Sequence, residues 1–425
     1  MEAGPRERVI GVGVIGAGWM GHAHARAYAR LPHHYPELPV RPRLVAVAET
    51  VPAQLADFAS RYVPDRRYTD WRDLLADPEV EAVSVTAPNA LHSEIGVAVA
   101  EAGRHLWIEK PVGLTAGDAR AVAEAVAKAG VRSAVGFNYR NVPAVDRARR
   151  LIAEGAIGAP THARVHLLTD YAAHPAGALT WRFLREHGGS GVLGDLASHG
   201  VDLVRFLLGD LERLVADTAV FVPERPLAAP GGSHYAIAAA GGPVGAVENE
   251  DYVCALLRTR AGVRVTFEAG RAEVGEQNTY GFVVHGTTGL VGWDFRRAGE
   301  LVVSAGGDYQ NEPATTVFAG PGDGEYARFQ PGAGIAMSYD DTKVVEAAGF
   351  LRSVAEGVPH GATIEDAVRS AEALEAMERS AATAAWIALL SPEADRRVMP
   401  PIALPRERRR PGSRNCRWAW LTCPS

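Results

Sequence analysis

Lysine is nearly absent from this chain. Of its 44 cationic residues only Lys110, Lys128 and Lys343 are lysines, and arginine supplies the rest. Arginine is a permanently charged fork, whereas the lysine ammonium changes its protonation readily when buried, so a chain poor in lysine is expected to keep it where that property is used. Lys110 closes the apolar run Leu106-Trp107-Ile108 inside HLWIEKPVGLT and is the first candidate for chemistry. The alternative is that a composition bias left all three by chance, which is the simplest reading of Lys128 and Lys343.

Other absences narrow the classes further. Three cysteines, Cys254, Cys416 and Cys423, have neither the spacing of metal ligands nor the even number of a disulfide framework, and read as ordinary thiols. No apolar run approaches the ~20 residues that cross a bilayer, and MEAGPRER has no apolar core of a signal peptide, so a cytoplasmic location without membrane partners is expected. A net charge of -6 gives no basic excess for nucleic acid. What remains is a soluble globular composition, and 425 residues exceed one core and call for two domains.

The first half alternates strand and helix. Val9 to Ile15 mixes apolar residues with glycine, runs into Gly16-Ala17-Gly18-Trp19-Met20-Gly21, and is followed by the helical spacing of HAHARAYARL. Strand, glycine loop and helix in this order are what dinucleotide binding requires: Gly16 for the tight turn, Gly18 for close approach of a pyrophosphate, Gly21 for packing of helix on strand. Leu44 to Glu49 reads as the second strand and ends in the acid expected on the adenosine ribose. The gap from Gly21 exceeds the usual ~20 residues, and the insert LPHHYPELPVRPR accounts for it. Glu49 would repel a 2′-phosphate, which favours NAD over NADP, although Arg61 and Arg66 could fold back. Ala82 to His92, HSEIGVAVAEAG, RHLWIEKP, the helix Ala116 to Ala129 and VRSAVGFN continue the alternation to Asn138, bringing Gly16, Glu49, Asn89 and Lys110 to one sheet edge.

The second half changes pattern. YVCALLRT, GVRVTFEAG, YGFVVHGT and LVGWDF are strands joined by short turns, and PAVDRARRLIAEG, DDTKVVEAAGFLRSVAEG and IEDAVRSAEALEAMERSAATAAW are helices, the last with a Thr363/Asp366 capping box. An α+β domain with a large, mainly antiparallel open sheet therefore follows the N-terminal α/β Rossmann domain. The expected boundaries are residues 1–138, 139–404, and a disordered basic tail over 405–425. Pro230 to Gly245 reads as a long mobile loop.

GVLGDLASHGVDLVRFLLG is apolar on most sides yet carries Asp195 and His199 four apart, hence on one face. A buried carboxylate beside an imidazole raises its pKa and fixes its tautomer, as a general acid/base needs. A hydrogen-bonded core pair and a two-ligand zinc site are the other readings. Asp202 is expected to pair with Arg205. Tyr139, Arg140, Trp181 and Arg182 flank the crevice and suit sugar faces or phosphates, or ordinary packing. His166, His174 and His187 read as surface or core histidines.

In order and spacing, GVIGAGWMGHAHARA, VTAPNALH, WIEKP and GDLASH resemble the glucose-fructose oxidoreductase / inositol dehydrogenase (Gfo/Idh/MocA) family over nearly the whole chain to about Leu404. The resemblance implies oxidation of a secondary alcohol by NAD(P), homo-oligomers (dimers or tetramers) formed through the open sheet, and a catalytic set of Lys110, Asp195 and His199; no metal is expected, because no third ligand follows Asp195 and His199 in a recognisable pattern. It also implies cofactor contacts at Gly16, Ala17, Gly18, Trp19, Met20, Glu49, Ala87, Pro88, Asn89, His92, Glu109, Lys110, Asn138, Trp181 and Arg182, and substrate contacts at Lys110, Tyr139, Asp195 and His199. Within the family, VGFNYRNVPAV, LTWRF, VPERPLA and YDDTKVVEA are similar to the levoglucosan dehydrogenase branch, which implies a pyranose-like ring oxidised at C3. A cyclitol or inositol, a glycoside, NAD-dependent glycoside cleavage and a nucleotide sensor without turnover remain the alternatives. The intact Lys110, Asp195 and His199 argue against the sensor.

Overall fold

Six short apolar segments come together as the first sheet. In a computed structural model describing residues 8–227, 237 and 242–389, β1 (Arg8–Ile15), β2 (Val40–Ala48), β3 (Arg66–Tyr68), β4 (Ala82–Val85), β5 (His105–Ile108) and β6 (Ser133–Val135) are all parallel, in the order β3-β2-β1-β4-β5-β6. The connections carry α1 (Trp19–His34), α2 (Pro52–Tyr62), α3 (Trp71–Ala76), α4 (Asn89–Glu101) and α5 (Ala116–Ala129). Every residue of β4 is buried, as expected of a parallel strand covered by helices on both faces. The strand order reverses between β1 and β4, which opens a crevice at their C-terminal ends.

After α6 (Pro143–Ala153), β7 (Pro160–Leu168) starts a second sheet. A short helix α7 (Arg185–Gly188), a π-helical turn over Leu193–Ala197 and α8 (Ser198–Leu208) precede β8 (Leu211–Ala219). A ribbon of β9 (Glu224–Pro226) and β10 (Val244–Ala246) lies apart. Next come β11 (Tyr252–Thr259), β12 (Arg264–Gly270), β13 (Thr279–Gly286), β14 (Gly289–Asp294), β15 (Glu300–Ala305), β16 (Thr315–Phe318), α9 (Tyr339–Glu356), α10 (Ile364–Thr383) and β17 (Ile387–Ala388). The nine-stranded order is β16-β15-β14-β13-β7-β12-β11-β8-β17, antiparallel except for the β7–β12 pair.

The strand β7, which the sequence reading did not single out, lies near the middle of this sheet. Ala163, Val165 and Leu167 point into the core while Arg164 is exposed, so one face is packed and the other is not. On the packed face α8 lies directly against β7 and β12. A Cβ on Gly200 would stand 2.5 Å from both Leu167 and Phe267.

The last two helices do not stay with the second sheet. Val344, Ala347, Phe350 and Leu351 of α9 share a core with Ile10, Val12, Leu31 and Trp107 of the first sheet and α1. In α10 the first turns pack with Leu106 and Val135, while Leu374 and Met377 join the second core. The Asp366 carboxylate accepts the Thr363 N–H at 3.0 Å, the expected capping contact.

The tail at 405–425, Cys416, Cys423 and most of the stretch Pro230 to Gly245 lie outside the described residues. The end of that stretch is not loop, since Val244 and Gly245 pair with Pro226 and Arg225 in the β9–β10 ribbon. Cys254 is an exposed free thiol on β11. Among the described residues no helix is long and apolar enough to cross a membrane.

Gly200→Val should therefore destabilise the protein by ~1–3 kcal/mol through overpacking, although valine is the better helix former. Urea unfolding measures this.

Candidate functional site

The glycine loop meets its expected geometry. Gly16 has φ +95, and a Cβ there would stand 2.7 Å from the Thr86 carbonyl oxygen, so no other residue fits this turn. A Cβ on Gly21 would stand 2.1 Å from the Gly16 oxygen. Gly18 is different, because a Cβ there meets no protein atom within 4 Å. It caps α1 without a side-chain hydrogen bond, and the first turn has no acidic residue, so amide N–H groups and the positive helix end face that space.

Beside the loop, the Glu49 carboxylate accepts the backbone N–H of Ala17 at 2.8 Å and of Val51 at 2.9 Å. Arg61 is committed to Asp57, and Arg66 to Asp77 and Glu79, so neither turns back toward Glu49. A pyrophosphate fits before Gly18, and ribose hydroxyls, not a 2′-phosphate, fit Glu49. Trp19 is exposed, stacked on Tyr339 at 5.3 Å, and the Tyr339 hydroxyl lies 3.8 Å from the Met20 sulfur.

Along the same edge, Ala87 and Pro88 lead into α4, and Asn89 Nδ2 donates to the Gly188 carbonyl at 3.3 Å. The buried His92 lies between the carbonyls of Ala87 and Pro111, 2.7 Å from each, and ties the β4 and β5 loops together. Directly after β5, Lys110 Nζ donates to the Asp195 backbone carbonyl at 2.6 Å and approaches its carboxylate at 3.3 Å. The Asp195 carboxylate also accepts the Tyr171 hydroxyl at 2.6 Å and lies 3.5 Å from Arg182. Burial alone would push the Asp195 carboxyl up. Lys110, Arg182 and Tyr171 outweigh it and hold it well below the usual carboxylate range.

The expected Asp195–His199 pair does not form. The π turn over Leu193–Ala197 has a wider repeat than an α-helix, so a spacing of four no longer stacks the two side chains. The carboxylate is instead taken by Lys110 and Tyr171. His199 Nδ1 is buried with no hydrogen-bond partner, and the ring lies 4.7 Å from that of Tyr139. Its pKa is lowered, not raised. Burial is the main cause and the nearby Lys110 the next, and Asp195 only partly opposes them. The imidazole is therefore neutral at neutral pH.

Several further expectations change. The Glu109 side chain is turned into the interior, where its carboxylate contacts His24 at 3.0 Å and Lys343 at 2.5 Å. Asn138 Nδ2 donates to Thr342 at 3.2 Å. Arg140 is not at the crevice but in a buried ion cluster with Asp202 and Asp366. Arg205 pairs with Asp210 and Asp366, so Asp202 has a different partner from the expected one. Trp181 lies under the Arg182 guanidinium at 4.6 Å. His174 and His187 are exposed and His166 is half-buried.

Among the described residues, His24, Glu109 and Glu346 are the three ligand-type side chains close enough to share a cation, but the Lys343 ammonium already bridges the two carboxylates. Asp195 and His199 are not in that group. Tyr171 and Lys343 were missed by sequence reasoning. A lone tyrosine in a loop carries no signal, whereas the scarcity of lysine could have drawn attention to Lys343.

Residues 10–137 match the family model described as "Oxidoreductase family, NAD-binding Rossmann fold", and residues 145–291 match the "GFO/IDH/MocA C-terminal domain". The chain is 35% identical over 380 residues to levoglucosan dehydrogenase of Pseudarthrobacter phenanthrenivorans, covering 89% of this chain and 97% of that protein. It is 28% identical to inositol 2-dehydrogenase of Rhizobium meliloti, covering 81% of this chain and 96% of the relative. A solved levoglucosan dehydrogenase in complex with NADH and levoglucosan superposes with a TM-score of 0.84 at 34% identity, covering 90% of this chain and 99% of that one.

Because a Cβ on Gly18 meets no protein atom within 4 Å, Gly18→Leu should leave thermal stability close to that of the parent and abolish NADH binding in a fluorescence titration. Retained binding would place the dinucleotide elsewhere.

Proposed function

The chain belongs to the Gfo/Idh/MocA oxidoreductase family and is an NAD-dependent sugar or polyol dehydrogenase, and from that premise we propose that it oxidises one ring hydroxyl of a rigid pyranose, levoglucosan or a glycoside, at C3 to a ketone. The observation that carries this reading is Lys110, directly after β5, fastened to Asp195 of the π turn that leads into α8 and His199. The likeness in sequence and fold to levoglucosan dehydrogenase supports the sugar class.

In this reading residues 1–138 form the cofactor half. The glycine loop, Glu49 and the Ala87–Asn89 turn hold NAD, with Trp181 and Arg182 at its border. The second sheet with α6, α7 and α8 forms the substrate half, while α9 and the start of α10 pack back on the first sheet, and the uncovered face of the second sheet, where Leu256 and Val302 are exposed, joins copies of the chain. NAD, when bound, supplies the hydride acceptor. Lys110 donates a hydrogen bond to the reacting oxygen and offsets its growing negative charge, the kind of contact worth ~10²–10³-fold in turnover. Asp195, fixed by Tyr171, aims that ammonium. His199, kept neutral by its surroundings, accepts the hydroxyl proton as the C–H bond gives up its hydride, and Tyr139 presents a ring face to the sugar.

NADH formation by the purified protein with NAD or NADP tests the proposal, using levoglucosan, glucose, simple glucosides and myo-inositol. A signal with NAD and levoglucosan or a glucoside is expected; a signal with myo-inositol alone would make it a cyclitol dehydrogenase. Free sugar without net NADH would mark glycoside cleavage, and NAD binding without turnover on any sugar would mark a sensor. Lys110→Ala and His199→Ala should each lose ~10²-fold or more, and near-normal turnover in either contradicts its role.

The pH profile has a definite sign. His199 works as the neutral base, so activity is held above its pKa and lost as pH falls through it. The acid limb of kcat/KM should therefore lie below the ordinary imidazole value of 6.5.

A further inference from the structure

Behind the catalytic turn lies a cluster of buried charges to which the proposed mechanism gives no role. Lys343 of α9 is fully buried, and its Nζ lies 2.5 Å from Glu109 Oε1 and 2.9 Å from Glu346 Oε1. Glu109 also meets His24 Nε2, and Glu346 Oε1 accepts the Trp107 indole N–H at 2.7 Å. The His24 and Trp107 rings stack at 3.6 Å. The backbone makes room for this arrangement, since a Cβ on Gly136 would stand 2.4 Å from the Glu109 carboxylate. One side is open: Glu346 Oε2 has no partner, and Glu346 lines a cavity of about 320 Å³ with Arg140, Arg352 and His360.

We infer that Lys343 is a positioning residue for the reaction, clamping the Glu109 carboxylate to α9 so that the turn Glu109-Lys110-Pro111 presents Lys110 to Asp195. The inference rests on the catalytic reading of Lys110. Glu109 and Lys110 are consecutive residues directly after β5, and their partners come from different elements. The first is fastened inward to α1 and α9, and the second outward to the helix bearing His199. They share one peptide unit, so a carboxylate that slips on the inner side moves the ammonium on the outer side.

The charges support the clamp. Burial would push the Glu109 carboxyl up, but Lys343 and His24 hold it ionised. Burial lifts Glu346 to about 7 against the pull of Lys343, and lowers His24 to about 4. The cluster thus holds one firm anion and one firm cation at neutral pH. Lys343 also acts at a distance on His199, whose facing charges are Lys110, Glu109, Lys343 and Asp195: both lysines lower its pKa and both acids raise it.

Three variants test the clamp, Lys110→Ala, Lys343→Met and the uncharged pair Lys343→Met/Glu109→Gln, each assayed for NADH binding, kcat, KM and the pH profile. Lys343→Met should bind NADH nearly as the parent does and lose kcat by up to ~10²-fold, the cost of a small misplacement. Its acid limb should move to higher pH, a shift that a purely structural role would not produce. The double variant removes the Glu109 charge together with the ammonium, and burial pushes the remaining Glu346 carboxyl toward its protonated form, so it should recover part of the kcat. If the single variant does not fold, the double variant alone decides, with a reduced kcat expected. A folded Lys343→Met or double variant with parental kcat and pH profile would overturn the inference while Lys110→Ala is inactive. Parental turnover in Lys110→Ala would overturn the catalytic reading itself, and the inference with it.

Discussion

Two neighbouring residues of opposite charge, Glu109 and Lys110, are held from opposite sides, and the rest of the site depends on that double attachment. Glu109 is fixed inward by Lys343 and His24, and Lys110 outward by the carbonyl and carboxylate of Asp195. Neither charge could sit at the end of β5 alone, because an unpaired buried ion costs several kcal/mol. Each is tolerated because a partner arrives from an element far along the chain: α9 for Glu109, the π turn before α8 for Lys110. The crevice is thus a joint product of the first sheet and of segments that follow the second one begins.

This arrangement divides the electrostatic work. Asp195 acts on Lys110, with Tyr171 and Arg182 completing its shell, and leaves His199 without a carboxylate contact. The imidazole is buried against Tyr139, and that burial first, with Lys110 next, favours its neutral form. In the proposed reaction, a neutral imidazole next to a fixed cation suits removal of a proton from a hydroxyl whose oxygen becomes negative. The close packing of α8 through Gly200 onto Leu167 and Phe267 sets the distance between His199 and the sheet.

Much of this was legible in the residues. The glycine loop, Glu49, the parallel alternation to Asn138 and the four named strands of the second sheet follow from local periodicity and turn chemistry, which act within a few residues. Lys110 was legible because it was rare. The Asp195–His199 contact was misread because four-residue spacing stacks side chains only in an α-helix, and the π turn breaks that rule. Lys343 and Tyr171 stayed hidden for another reason: their partners are 234 and 24 residues away, and pairing at such separations is decided by packing, not by pattern. The same holds for Asp202, which meets Arg140 across the fold instead of Arg205 on its own helix.

The central claim is that a sugar ring carbon gives its hydride to NAD beside Lys110. Levoglucosan deuterated at C3, incubated with the protein and NAD, tests it most directly, with the reduced cofactor and the sugar product analysed by NMR. The account predicts deuterium on the nicotinamide, a C3 ketone in the sugar and a slower reaction than with unlabelled levoglucosan. Sugar consumed with no deuterium on the cofactor would contradict it.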